Sequence, residues 1–556
     1  EMVVLREGSL ARAMRASMAV PGLMAPAEIG ERLLVDGGLV RNLPVDVVRE
    51  LCADVIIAVN LGTPLLDREA LDTAVGVTLQ MINILTEQNV QTQLAALGQR
   101  DILISPELGN ITAADFHRAA EAVEDGERAA RNQAGSLAAL ALEPAAYRAW
   151  QAKRRQQPSP PPVVDRLVVE SLERVNPAVV EEALTVEPGE PLDEDTLQQD
   201  LIRLYGRGDF ERLDYRLFTA DGQRVLAIQP IEKSWGPGYL RFGLGLSTDF
   251  EGTQAFALQA GYDRTWVNAL GGAWRNDLQI GRTSLLRSAF HQPLTPVGNW
   301  FVEPWLSLER YPVNIYQQGD LVAQYQAKRW NLGLDLGRQL GGGSELRLGI
   351  LTGQATAEVD VGTLSLPEPD FQEGAITARL RYDRLDDAFF PRSGSALSLD
   401  AYHSRTELGA GQDYTRLEAR WLTAASRGRD AWHWLFWLGS GLEEELPVFD
   451  QFSLGGFLRL SGYRTDRWLG GNAGFGRLVY YRRVDTLPAT AGGAVYLGSS
   501  LEAGRVWEGR FEPDDDEWRY SASLFVGAQT FLGPLYLGYG RAVAGEDALY
   551  LYIGQP

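Results

Sequence analysis

The chain is poor in the residues that make cross-links and metal sites, with one cysteine and four histidines among 556 residues. Cys52 alone forbids an internal disulfide and a Cys-rich metal site. His117, His291, His403 and His433 are scattered, with no spacing that suits a metal. Lysine is nearly absent; Lys153, Lys233 and Lys328 are the three present. With 52 basic against 73 acidic residues the net charge is −21, which excludes nucleic acid as a partner, because that needs a basic footprint. No run approaches the ~18 apolar residues of a membrane helix, so any contact with a membrane is made another way. No positive n-region, apolar h-region or cleavage site precedes the first element, so no secretory signal is visible. The chain opens on Glu1 close to the middle of a motif region, and the expectation is a fragment lacking its N-terminus. Glycine, by contrast, is abundant at 59 residues, and there are 14 Trp and 20 Tyr.

Three regions follow one another. Residues 1–150 read as α/β. "GSLARAMRASMAVPG" is a helix stopped by Pro21-Gly22. "ERLLVDGG" and "ADVIIAVNLG" are short strands, the second with the continuous apolar character of a buried parallel strand. Leu71, Val75, Ile82, Leu85, Val90, Leu94 and Leu97 recur at helical spacing. A further strand, "DILISP", precedes a helix with Thr112 and Asp115 placed as a near capping box. Residues 151–162, "QAKRRQQPSPPP", are a Pro-rich linker. Residues 163–235 read as strand, helix, helix, strand, strand, with Asp221-Gly222 at a hairpin turn. Arg207-Gly208-Asp209 within it spells an adhesion tripeptide, but a Gly-assisted turn between helix and strand is the simpler reading.

From residue 236 to the end the pattern changes to alternation with period two. Leu240, Phe242, Leu244 and Leu246 share one face; Arg241, Gly243, Gly245 and Ser247 share the other. The same holds for Trp330, Leu332, Leu334 and Leu336 against Asn331, Gly333, Asp335 and Gly337. It holds again for Ile376, Ala378, Leu380 and Tyr382, and Leu549, Leu551 and Ile553 share a face near the end. A soluble sandwich would turn the apolar face inward; a membrane barrel turns it toward lipid around a polar lumen. The polar face favours the barrel, being rich in Gly and Arg as a crowded wet interior would be. Trp266, Trp274, Trp300, Trp305, Tyr311, Trp330, Trp432 and Trp434 lie toward strand ends and suit aromatic girdles. Some 320 residues at about 20 per strand and turn give ~16 antiparallel strands, an even number as such barrels require.

Motifs add family resemblances. "FSLGGFLRLSGYRTDRW", 452–468, resembles the loop-six signature of the outer-membrane insertase and two-partner transporter superfamily (BamA/TamA), whose loop folds back into the barrel lumen. The family tetrapeptide carries Arg before its Gly, where this chain has Leu460, Ser461, Gly462 and Tyr463. Arg459 and Arg464 are the candidates to take over the anchoring to acidic lumen residues. The 163–235 unit resembles a POTRA domain, present in one copy. "RASMAVPGLMAP…ERLLVDGGLVRNLPVDVVRELCADVIIAVNLGTP" resembles the C-terminal half of a patatin-like lipid acyl hydrolase. Together the regions resemble patatin-like phospholipase autotransporters of class V-d. That resemblance implies an outer-membrane location in a Gram-negative bacterium, a homodimer, insertion by the barrel-assembly machinery, and phospholipid acyl-ester hydrolysis without metal or organic cofactor. Barrel proteins usually end on an aromatic residue; here the end reads Tyr552-Ile553-Gly554-Gln555-Pro556.

In the patatin-like family the Asp of Asp-Gly-Gly is the base for a Ser in a G-x-S-x-G elbow. The resemblance makes Asp36 that base, with Gly37 and Gly38 forming the turn. No G-x-S-x-G occurs in these 556 residues, so the nucleophile half is expected upstream. A Ser hydroxyl needs an adjacent base, and the only His of the α/β region is His117, on a distal helix. From local chemistry alone a turn cap is the simpler reading of Asp36. Two other functions stay open: a transporter or insertase with a non-catalytic α/β region, and a soluble lectin-like β protein. The acidic stretch "EPDDDEW", 512–518, could bind Ca²⁺, although a solvated rim loop is the simpler reading.

Overall fold

The computed structural model describes residues 1–21, 24–62, 74–109, 111, 118–154, 160–250, 254–317, 320–362, 370–442, 445–486, 492–508 and 517–554. Two compact units emerge, Glu1–Ser159 and Pro160–Pro556. In the first, the helix Leu10–Ser17 is capped by the Ser9 side chain and ends at Met18, before Pro21. Arg12 and Arg15 then tie it to the carbonyls of Glu28 and Ala25, at 2.9 Å each. Ala27–Ile29 and Arg32–Leu34 form an antiparallel hairpin. Ile57–Val59 pairs in parallel with Ile102–Ile104. The long helix Ala74–Leu94 carries the apolar series; Leu71, Thr112, Asp115 and His117 lie outside the described residues. The strand from Ile57 is parallel as expected, but it is not buried on both sides: Ile57 and Val59 are each 49% exposed. Among the described residues it has a single strand neighbour, so only the face bearing Ala58 meets the small core of Val45 and Ile56. The helix Pro144–Arg154 runs into the stretch read as linker.

The second unit opens with a three-stranded sheet carrying two helices. Arg166–Val169 lies parallel to Gln223–Glu232, which pairs antiparallel with Phe210–Ala220. The hairpin turns at Asp221 and Gly222, both at positive φ, 51° and 78°, as an Asp-Gly turn requires. Asp193 caps the helix Glu194–Gly206, whose Leu197, Leu201 and Leu204 are buried against Phe210, Leu226 and Ile228. The Arg-Gly-Asp tripeptide is structural: Gly208 turns at φ 85°, and Asp209 accepts the Trp266 indole N–H at 2.9 Å.

Sixteen antiparallel strands then close into a barrel, from Gly238–Thr248 to Asp547–Ile553, which pair with each other over three residues. The alternation has the predicted sense. Leu332, Leu334 and Leu336 point outward and are about half exposed, while Asn331 and Asp335 are buried inside. Arg347 and Arg379 pair with Glu303 and Asp335, each two strands away along the lumen face. With this exterior apolar and this interior ionic, the barrel is built for lipid outside and water inside. No helix among the described residues is long and apolar enough to cross a membrane. The aromatic girdle needs correction at three positions. Trp266 packs on the preceding sheet-and-helix core. Trp305 is 8% exposed with Arg287 stacked on it at 4.7 Å, and Tyr311 shares its inward parity in the strand Trp300–Gln317. Girdle positions and lumen positions differ by one residue of register, which composition does not resolve.

The segment 452–468 folds into the lumen. Phe452–Leu454 and Trp468–Gly470 make a two-stranded base, and Phe457, Leu460, Ser461 and Tyr463 are buried above it. A carboxylate of the wall, with backbone donors of the tip, makes the anchor. Glu502, on the wall strand Gly492–Trp507, accepts the backbone N–H of Leu460 (2.7 Å), the N–H of Ser461 (2.6 Å) and the Ser461 hydroxyl (2.8 Å). Arg459 instead donates to Ser453 O within the loop. At the loop's base the sense of the ion pair is reversed: Asp450 of the loop receives Arg329 of the wall at 2.7 Å. Glycines in the wall make room, because a Cβ at Gly538 or Gly540 would come within 2.5 Å of Phe457 or Ser461. Gly462 itself sits at φ 97°, where a Cβ would meet Ala542 N at 2.5 Å. Gly462→Val should therefore cost on the order of 3 kcal/mol or more from αL strain and overpacking. Ser461→Ala, which keeps the backbone donor to Glu502, should cost ~1–2 kcal/mol. Urea unfolding in lipid vesicles measures both; equal midpoints would contradict a packed loop.

Candidate active site

Asp36 follows the hairpin strand Arg32–Leu34. Its own N–H donates to Ala19 O at 3.0 Å, which joins it to the buried end of the first helix. Its Oδ1 accepts the Gly38 N–H at 2.7 Å. Its Oδ2 has no hydrogen-bond partner among the described residues. The turn-capping contact therefore uses one oxygen of a half-buried carboxylate and leaves the other open. Gly38–Arg41 is a single helical turn, and the long helix Ala74–Leu94 braces it. Asn89 donates to Gly38 O and accepts from Asn42 N, at 3.0 Å each. Four residues on, Gln93 accepts from Asp46 N at 2.9 Å. Sequence reasoning followed only the apolar positions of this helix and missed Asn89 and Gln93. Their signal was polar residues at i, i+4 on the stripe that also carries Val90.

Several groups stabilise the surrounding frame. Asp46 pairs with Arg41 at 2.8 Å. Burial opposes its charge, but the Arg41 hydrogen bond and the Val47 N–H outweigh that and hold its pKa below the usual carboxylate value. Asp101 carries the Arg49 guanidinium and the N–H groups of Gly98 and Ile56, and these hold it down to about 2. It thereby locks the turn before one parallel strand to the start of the other. The Ser17 hydroxyl lies against the turn as well, 3.5 Å from where a Cβ on Gly37 would stand. Among the described residues no group of three or more His, Cys, Asp or Glu could hold a metal ion; residues 512–516 of the acidic stretch lie outside them. The loop tip Leu460, Ser461, Gly462 and Tyr463 belongs to the barrel unit and serves it structurally.

The fold and lumen define a transmembrane β-barrel of the type closed inside by its own loop. The family model described as Omp85 superfamily domain matches residues 237–552, more than half of the chain, and the protein belongs to that superfamily. A barrel of this superfamily resides in the outer membrane of a Gram-negative bacterium. The solved structure of BamA from Haemophilus ducreyi lacking POTRA domains 1-3 superposes with a TM-score of 0.56 at 14% identity, covering 70% of this chain and 83% of that one; this likeness is one of fold. At the N-terminus the family model described as Patatin-like phospholipase matches residues 4–49. An uncharacterized NTE family protein of Mycobacterium tuberculosis is 50% identical over 54 residues, 10% of this chain and 9% of that protein. The mouse patatin-like phospholipase domain-containing protein 7 is 45% identical over 64 residues, 11% of this chain and 5% of that protein. The chain thus spans under a tenth of the length of either relative.

The two glycines of the turn make different demands. A Cβ at Gly38 would lie 2.9 Å from Asp36 Oδ1 and 3.0 Å from Asn42 Oδ1, whereas at Gly37 it would meet only Ser17 Oγ. Gly38→Ala should therefore swing the Asp36 carboxylate away and free the residue-38 amide, at a cost of ~1–3 kcal/mol for a charged hydrogen bond. Gly37→Ala should change stability by under about 0.5 kcal/mol. Amide hydrogen exchange at residue 38 reads the difference; equal protection in both variants would contradict it.

Proposed function

We propose that this chain is part of an outer-membrane lipid acyl hydrolase, carried or exported by its own barrel in the manner of class V-d autotransporters. In this reading residues 163–235 are a single POTRA domain and residues 1–150 are the C-terminal half of a patatin-like domain. The observation that carries the proposal is Asp36: a carboxylate at a strand end with Oδ1 fixed by Gly38 and Oδ2 unpartnered, inside the patatin-like match. A Ser hydroxyl supplied by a G-x-S-x-G elbow would give its proton to Oδ2 as its oxygen attacks the acyl carbonyl of a phospholipid. The acyl group passes to Ser, the alcohol leaves with a proton, and water then releases the fatty acid with Asp36 again as base. Binding of Oδ1 to the Gly38 N–H fixes the direction of the free oxygen without engaging it. No metal or organic cofactor takes part. The barrel supplies the membrane anchor beside the lipid substrate, a homodimer is the expected assembly, and the barrel-assembly machinery inserts it.

The sequence contains no G-x-S-x-G, so the 556 residues alone should release no fatty acid above background. Catalytic groups that act as a unit lose nearly all of the rate when one is missing. A longer protein that carries such an elbow ahead of Glu1 should be active. There Asp36→Asn should lower kcat by at least about 10³-fold while Asp46→Asn stays within about twofold. A fluorescent phospholipid assay at matched concentration decides. Hydrolysis by the 556 residues alone, or full activity with Asn at 36, would refute the dyad; inactivity of the longer protein is the result expected of a transporter with a non-catalytic α/β unit.

A further inference from the structure

Inside the barrel, a cavity of ≈ 350 Å³ lies between the inserted loop, the segment around Pro391 and the wall. Three guanidiniums line it: Arg420, Arg459 and Arg477. None has a carboxylate within 4.0 Å among the described residues. Arg459 donates to Ser453 O and Arg477 to Leu458 O, at 2.8 Å each, so two of the three are held in place by backbone; Arg477 also stands opposite Glu502 on the next strand, but the oxygens of that carboxylate are taken by the loop tip and the wall serines. The one carboxylate in the cavity wall, Glu418, is already paired: Arg416 sits 3.0 Å from one oxygen and the Trp437 indole N–H 2.8 Å from the other. His433 also lines the cavity; it is 7% exposed, and neither of its ring nitrogens has a hydrogen-bond partner among the described residues.

Elsewhere in the same lumen, Arg347, Arg379 and Arg381 each face a carboxylate. The cavity differs from that pattern by a net excess of positive charge, walled partly by Leu435 and Phe475, which are nearly fully buried. Like charges in a partly apolar enclosure repel more strongly than in water, and a buried donor without a partner is costly. An anion resolves both. Guanidinium forks match the oxygens of phosphate in pairs, and a neutral imidazole supplies one further N–H. We propose that this lumen cavity is a phosphate-binding site, with Arg420, Arg459, Arg477 and His433 as its ligands. The shared chemistry is a phosphate group, either free or on a lipid headgroup.

The test uses the full chain folded in a detergent without phosphate, at fixed ionic strength. Calorimetric titration with inorganic phosphate should give saturable binding of one ion per chain. Arg420→Gln is the informative variant, because Arg420 makes no side-chain hydrogen bond among the described residues; it should weaken binding at least tenfold. Arg420→Lys, which keeps the charge without the fork, should fall between. Arg381→Gln, which removes a cation paired with Asp400 outside the cavity, should leave affinity unchanged. A second arm adds phosphatidylglycerol to the micelles: competition with phosphate identifies a headgroup as the occupant, and lack of competition identifies the free ion. No saturable binding, or equal affinity in wild type and Arg420→Gln, overturns the proposal; so does an equal loss in Arg420→Gln and Arg381→Gln, which would be the signature of diffuse lumen charge.

Discussion

One buried carboxylate organises the inside of the barrel. Glu502 is 3% exposed and accepts from the loop tip through two backbone N–H groups and one hydroxyl, with Ser500 and Ser521 adding two more hydroxyls from the wall. A charge so placed is unfavourable unless its oxygens are occupied, and loop N–H groups inside a barrel are unfavourable unless something accepts them. Each need meets the other. With the tip fixed, Gly462 N–H reaches the Tyr550 hydroxyl at 2.9 Å, and Phe457 enters a ring cluster with Phe525, Tyr536 and Tyr550. Leu458 and Arg459 are then placed as one side of the arginine-lined cavity. The lumen is thus filled by specific contacts, and a packed interior is what lets the outer face be wholly given to lipid.

Much of this was legible in the sequence. Period-two alternation fixed which residues face lipid, since Leu332, Leu334 and Leu336 cannot share a face with Asn331 and Asp335 in a strand. Strand number followed from length. The Asp-Gly turn was a local signal and was read locally. What could not be read was pairing across distance. Glu502 lies some forty residues beyond the loop tip it holds, and nothing in "SSLEAG" distinguishes it from any lumen-facing Glu. The motif's missing Arg invited a search for another Arg, whereas the fold answers with backbone donors and moves the ion pair to Asp450 and Arg329. Trp266 and Trp305 were misplaced for the same reason: an aromatic near a strand end serves lipid, lumen or a neighbouring domain according to register and contacts.

The α/β unit shows the same division. Asp36 and its two glycines form a local turn, and its geometry is what the tripeptide prescribes. The brace from Asn89 and Gln93 is long-range and was invisible beside the apolar stripe that hides it. The proposed chemistry at Asp36 depends on one oxygen being held and the other left open, and that arrangement is set by the Gly38 N–H and by the helix that positions Gly38. Outer-membrane placement and the proposed lipid-cleaving role fit together physically, because the proposed substrate is the solvent of the barrel's outer face.

The organising role of Glu502 is tested most directly by a double-mutant cycle of Glu502→Gln and Ser461→Ala, read by urea unfolding of the full chain in lipid vesicles. If the carboxylate and the loop tip hold each other, the two losses are strongly non-additive, with a coupling of ~1–3 kcal/mol. Additive losses would show that the loop is held by its surroundings and that Glu502 is only one polar residue of the wall.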